Sequence, residues 1–422
     1  MISELPEALL LQILSLLPTE DVAATSVLSK RWRTLWKVVP KLKFIHDGLT
    51  GLQTFSENVG KTLLSHKAPV LQSLHLLVSF DKEASMDLGV LIGIAFGLHV
   101  RELKLEVYCE EGLFTFPRSL YNCEKLETLK LVTSCGSILV DVPSSVCLKS
   151  LRTLLLHEVE YKDDESVVNL LSGCVSLENL VVKRKRHDVV RTFTIAVPSL
   201  QRLTITDQTN DSSYVIKAPF LKYLKIQGFS GLGSCLFENA PELVEANISI
   251  DYVISENILG SLTSAKHLSL NISPVECTFP AGKIFHQLAH LEICTYKAEW
   301  WNLLTLMLDT SPRLRVLKLI GGTRTRWDIY SGGMAWGKWI QPKNVPECLL
   351  FHLETFVLSV WTCHKGKLGD EKEVAKYVLK NASRLKKATL SKNDVNLEER
   401  VKLVDELESV VRASSSCQLV FE

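Results

Sequence analysis

The sequence predicts an α/β protein in three parts: a three-helix head, an irregular solenoid of leucine-rich units with a parallel sheet, and a C-terminal cap. Three observations carry this. The first forty or so residues hold more apolar side chains than so short a segment can bury by itself. A spaced apolar triplet then recurs, with starts 21 to 29 residues apart. After about residue 340 that rhythm breaks, so the expected divisions are 1–46, 47–340 and 341–422.

The head opens on Leu5-Pro6, with the proline suited to a first helical turn. Leu9, Leu10, Ile13, Leu14, Leu16 and Leu17 wrap more than half of a first helix, which Pro18 stops. Thr19 is expected to cap a second helix, with Glu20 and Asp21 in its first turn. Ser29 is expected to cap a third, where Leu28, Trp32, Leu35 and Trp36 recur at three- and four-residue steps. Either the next domain or another protein must cover this surface, and tryptophan and arginine are residue types that dominate interface energies.

The order Leu5-Pro6, Ile13-Leu14, Leu17-Pro18, Asp21-Val22, Ser26-Val27-Leu28-Ser29 and Arg31-Trp32-Arg33-Thr34-Leu35-Trp36 resembles the F-box. That resemblance implies docking onto the Skp-type adaptor of a cullin-based SCF ubiquitin ligase. It implies that Leu5, Pro6, Ile13, Leu14, Leu17, Pro18, Val22, Val27, Leu28, Arg31, Trp32, Leu35 and Trp36 form the adaptor-binding set.

From 47 onward, a lead segment (48–67) with Leu49, Leu52, Phe55, Val59, Leu63 and Leu64 reads as a helix. Its Gly60-Lys61-Thr62 is only a fragment of a phosphate loop, because Phe55 stands where the earlier glycine belongs and no strand precedes it. The triplets begin with Leu71/Leu74/Leu76 and Val100/Leu103/Leu105 and run on to Leu314/Leu317/Leu319. The last two members of each lie two apart, so both point to one face of a short strand, and stacked strands build a shared apolar interior. Cys123, Cys174, Pro198, Pro219, Pro241 and Pro312 sit two or three residues ahead of a triplet, where the chain turns into the strand. Residues 165–171 and 300–308 look helical, the latter packing Trp300-Trp301. Lys183-Arg184-Lys185-Arg186 reads as a solvated surface loop rather than an import signal, and 324–339 as a long loop suited to partner contact.

In the tail, Leu353/Phe356/Leu358 and Leu385/Ala388/Leu390 supply further strands. A helix begins at Asp370 with Ala375, Val378, Leu379 and Ala382 as its stripe. A final helix (397–411) should turn Leu403, Val404, Leu407, Val410 and Val411 inward. Val345-Pro346-Glu347-Cys348-Leu349-Leu350, Leu353-Glu354, Glu371-Lys372-Glu373, Asn381-Ala382 and Leu385-Lys386-Lys387 resemble the FBD domain, which accompanies F-boxes and leucine-rich repeats in a large plant family.

Lys plus Arg (48) nearly equals Asp plus Glu (47), which disfavours nucleic acid and anionic membrane as partners. No run of about eighteen apolar residues suggests a membrane span. The 11 cysteines are scattered, without Cys-x-x-Cys, and read as reduced structural residues of a cytoplasmic or nuclear protein. No cofactor, metal set or catalytic motif is legible, so ligase chemistry is expected of other subunits and recruitment of a target protein of this one. A hormone-like receptor is the alternative, but the strand positions show no consistent basic series; a plain scaffold is the other.

Overall fold

The structure is a computed structural model that describes residues 5–46, 48, 51–80, 88–109, 114–133, 138–209, 213–228, 234–238, 240–250, 256–272, 282–295, 300–321, 339–361, 370–393 and 404–421. The chain forms two compact units, Met1–Ala218 and Pro219–Glu422.

The first unit begins with helices α1 (Glu7–Leu14), α2 (Thr19–Ala24) and α3 (Trp32–Leu35), then strand β1 (Lys41–Ile45). Strands Ser73–Phe80, Glu102–Cys109, Thr128–Thr133, Thr153–His157, Asn179–Arg184 and Arg202–Asp207 follow β1 as successive parallel neighbours. The register is uniform: Leu74 faces Leu103, Leu103 faces Leu129, Leu129 faces Leu154, Leu154 faces Leu180 and Leu180 faces Leu203. Every member of these triplets is at most 2% exposed. A fully buried leucine contributes about 1.5–3 kcal/mol relative to an exposed one, so the stacked interior is the main stabilising term.

One triplet lies ahead of those expected. Val39, Leu42 and Phe44 have the same spacing, are at most 3% exposed, and pair Leu42 with Leu74 and Phe44 with Leu76. Residues 41–45, expected inside the head, are the first strand of the array.

The corner before several of the strands is a tight turn. The Leu151, Leu177 and Leu200 amides donate to the carbonyls of Leu148, Cys174 and Val197 at 3.0, 3.1 and 3.2 Å, and those three residues are at most 2% exposed. The buried corner is thus the position three before the triplet. Pro198 occupies the second position of its turn, which a fixed φ suits.

Return segments differ from unit to unit. Leu52–Ser65 is a helix burying Phe55, Val59 and Leu63, but Leu64 is 74% exposed because it lies off that face; Leu49 falls outside the described residues. Gly60-Lys61-Thr62 is mid-helix, with Lys61 paired to Glu57 at 3.3 Å. Asp164–Ser172 is capped by Asp163, whose carboxylate accepts from the Ser166 amide at 2.8 Å. It ends at Gly173, where a Cβ would stand 2.3 Å from a Val146 methyl, so only glycine fits.

The basic run is not a solvated loop. Lys183 and Arg184 end a strand, Lys183 pairs with Glu158, and Lys185 pairs with Glu160. The Arg184 side chain has no exposed surface; it donates to Asp188 (2.7 Å), lies 3.5 Å from Asp207, and hydrogen-bonds Tyr214 (3.3 Å) and the Val190 carbonyl. Phe193 and Tyr214 flank its guanidinium at 5.3 and 5.6 Å from the ring centroids. Burial opposes that charge, but Tyr214 and Asp188 outweigh it and hold the guanidinium's pKa above the usual value. Alternation along the strand turns Arg184 inward, and the interior supplies its carboxylates. Only Arg186 of the four is exposed.

In the second unit, Tyr223–Gly228, Glu245–Ile250, His267–Asn271, His290–Cys294 and Val316–Ile320 are parallel neighbours with the same register. Helix Trp300–Thr310 buries both tryptophans, Leu303, Leu304, Met307 and Leu308. The ladder does not stop at 340. Thr355–Trp361, Lys387–Asn393 and Gln418–Phe421 continue it, with Leu317 facing Phe356, Phe356 facing Ala388 and Ala388 facing Leu419. The C-terminal region closes the array by adding strands, one beyond those expected. Helix Asp370–Asn381 buries its predicted stripe of Ala375, Val378 and Leu379, with Ala382 next to it. In the final helix, Leu407 is buried, but Val411 is 85% exposed because the helical residues end at 408. Leu403 and the 324–338 part of the expected loop lie outside the described residues.

Among the described residues, no helix is long and apolar enough to cross a membrane, and no group of three or more His, Cys, Asp or Glu is arranged to hold a metal. Burial pushes the Cys174, Cys235 and Cys348 thiols up to about 12, the opposite of nucleophile activation.

Arg184→Ala leaves two buried carboxylates without their cation and is expected to destabilise the first unit by about 3–5 kcal/mol, against about 0.5 kcal/mol or less for Arg186→Ala. Urea unfolding of the two variants checks this.

Candidate docking face of the helical head

The head divides its apolar side chains between an inside and an outside. Leu10 and Leu14 from α1, Val22 from α2, Trp32 and Leu35 from α3, and Val39 just before β1 form one buried cluster. Leu5, Leu11 and Trp36 pack on its edge, and the Lys37 ammonium lies 5.4 Å from the Trp36 ring centroid. The Arg31 guanidinium donates to the Leu5 carbonyl at 2.9 Å, tying the start of the head to its third helix. Pro6 precedes α1 and Pro18 precedes α2, each with a φ of -54° that leads into a helix.

The expected caps work differently. Thr19 is the first residue of α2 and is buried, and its hydroxyl accepts from the Lys43 amide in β1 at 2.8 Å. Ser29 serves through its backbone carbonyl, which accepts from the Trp32 and Arg33 amides at 3.1 and 3.3 Å. Further backbone bonds fasten the end of the head. The Lys67 amide donates to the Lys37 carbonyl at 2.7 Å, the His66 imidazole Nε2 bonds the Val39 carbonyl at 3.0 Å, and the Gln72 amide donates to Pro40 at 2.8 Å.

What remains outside is a set of aliphatic side chains. Ile13 and Leu17 are about two-fifths exposed, Leu28 is 63%, Leu16 83% and Val27 84% exposed, and Leu9 adds 45% from α1. Large aliphatic groups this open and this close in sequence form a candidate contact surface.

This divides the thirteen residues singled out from the sequence. Pro6, Ile13, Leu17, Val27, Leu28 and Arg31 are exposed, while Leu5, Pro18 and Trp36 are half-buried. Leu14, Val22, Trp32 and Leu35 are at most 3% exposed, so in this structure they build the head rather than line its surface. The reason is size: a three-helix unit needs a large side chain at its centre, and Trp32 fills that place. Leu9 and Leu16 are exposed but absent from the set. Their signal is the nearly continuous apolar character of residues 9–17, which one buried stripe cannot use up.

Comparison with known proteins follows this layout. The F-box domain family matches residues 2–44, the leucine-rich repeats of the FBD-associated F-box protein At5g56370 match 94–243, and the FBD family matches 341–390. The F-box/FBD/LRR-repeat protein At3g26920 of Arabidopsis thaliana is 57% identical over 427 residues, covering 100% of this chain and 96% of its own. The chain belongs to the F-box/FBD/LRR-repeat family. Two further Arabidopsis thaliana members, F-box/FBD/LRR-repeat protein At3g52680 and the putative FBD-associated F-box protein At1g55030, are 53% and 52% identical; each alignment covers 100% of this chain, with 93% and 98% of the relative. The F-box match ends inside β1, so the domain and the array share a strand. The FBD match ends within Lys387–Asn393, one strand short of the end of the ladder.

Trp32→Ala empties the head's core and is expected to cost about 3–5 kcal/mol, exposing α1–α3 to amide exchange. Leu28→Ser, at an open site, is expected to change stability by about 0.5 kcal/mol or less and leave that protection intact.

Proposed function

We propose that this F-box protein is the target-recruiting subunit of a cullin-based SCF ubiquitin ligase, docking on the Skp-type adaptor through its head and holding a target on its repeat surface. The observation that carries the reading is the head's division of labour: its core is already filled, yet open aliphatic side chains flank α1 and follow α2. An internal packing role would have turned those groups inward. The F-box match over 2–44 supplies the class of partner.

The chain's part in catalysis is proximity. A target held on the array and an adaptor held on the head are joined through one chain, so transfer of ubiquitin becomes effectively intramolecular. The bond-making groups belong to other subunits.

Docking through open aliphatic groups should fail when they acquire charge. Leu16→Asp with Val27→Asp, and separately Leu28→Asp, should each reduce capture of a purified Skp-type adaptor by about tenfold or more, equivalent to about 1.4 kcal/mol. Circular dichroism should be unchanged. Undiminished capture in these folded variants would exclude the head as the docking face.

A further inference from the structure

The register that buries the triplets also aligns the side chains between them on the other face of the sheet. In the first unit, Lys43, His75, Lys104 and Lys130 stand side by side in four neighbouring strands, and the same row continues with Leu155 and Val181. All six are half-buried, flanked by neighbours but open above. In the next row, Val132 lies beside His157.

The charges on this face do not cancel. Glu106 pairs with Lys104 and hydrogen-bonds His75 at 2.7 Å, and Glu102 takes Lys130 at 2.7 Å. Lys41 and Lys43, both on β1, have no carboxylate partner among the described residues. Burial, helped by Lys104 and Lys43, lowers the pKa of the His75 imidazole against the hydrogen bond and charge of Glu106. At the strand starts, Lys41, Ser73, Glu102 and Thr128 line a cleft of about 580 Å³.

We infer that this face takes an acidic, aliphatic-anchored peptide segment of the target, running across the strands with its carboxylates over Lys41 and Lys43 and an apolar side chain on Leu155 and Val181. The inference rests on the target-recruiting reading above and names the class of target. Charge complementarity selects an anion, since Lys43 at the end of the row and Lys41 beside it on β1 have no carboxylate partner among the described residues. The aliphatic end selects a peptide over a nucleic acid, whose bases would need aromatic platforms that this row lacks. Neighbouring strands lie about 4.8 Å apart, so the row from Lys43 to Val181 spans roughly 24 Å, the reach of about seven extended residues.

The test uses the full chain and fluorescein-labelled peptides of about ten residues, long enough to span the row. One carries a run of glutamates followed by two spaced leucines; a second replaces glutamate by lysine, and a third replaces leucine by serine. A single-stranded oligonucleotide of matching length is the fourth probe. Fluorescence anisotropy should show the first peptide binding about tenfold or more tighter than the others, weakening as salt rises. Lys43→Glu and Val181→Ser should each loosen it by about tenfold. Both substitutions are at half-exposed positions, and thermal melting should show both variants folded. Equal binding of the lysine peptide, tighter binding of the oligonucleotide, no binding of the first peptide, or insensitivity to both variants would each overturn the inference. Adaptor capture, measured on the same proteins, reports the head separately, so loss of docking and loss of peptide binding are read as distinct failures.

Discussion

The register of the parallel ladder is the constraint on which this molecule depends. Each strand offers two apolar side chains two residues apart, and they are buried only if they meet the same pair in both neighbours. A slip by one residue would turn Leu154 and Leu156 outward and carry Leu155 into the interior. Because each strand is locked to the next, the rule propagates without regard to what lies between strands, whether the helix Asp164–Ser172 or the short strand Thr192–Ala196. It tolerates Ala246 and Ala388 at triplet positions, both fully buried. The same locking arranges the opposite face in rows, so a surface pattern such as Lys43, His75, Lys104 and Lys130 is a by-product of burial on the other side.

Periodicity made most of the fold legible. Every triplet from Leu71 to Leu319 is buried and paired, because period and spacing are properties the sequence carries directly. Context hides the spacing in places. Val39, Leu42 and Phe44 form a triplet of the same kind but follow directly on a helix, so by sequence they look like part of the head. The strand Gln418–Phe421 is hidden for a related reason: its triplet would begin at Ser416, and Leu419, Val420 and Phe421 are only half-buried.

The head was legible as to class but not as to which way its side chains point. Residue type and spacing marked Trp32, Leu14, Ile13 and Val27 alike as apolar, and only three-dimensional packing separates the first two, inside, from the last two, outside. Charge is hidden for the same reason. Four consecutive basic residues look solvated in a sequence, yet strand alternation sends Arg184 inward to Asp188 and Asp207 while Lys183 and Lys185 find glutamates on the surface.

The passage from α3 into β1 has a mechanical meaning. Trp36–Val38 is a short helical turn, Val39 is already in the buried cluster, and Lys41 is already in the sheet. Thr19, Lys37 and Val39 are each bonded to the array or its first return segment. Whatever grips the head therefore pulls on the first strands as well, as a handle moves a blade, because the load passes through these hydrogen bonds rather than through a loose tether.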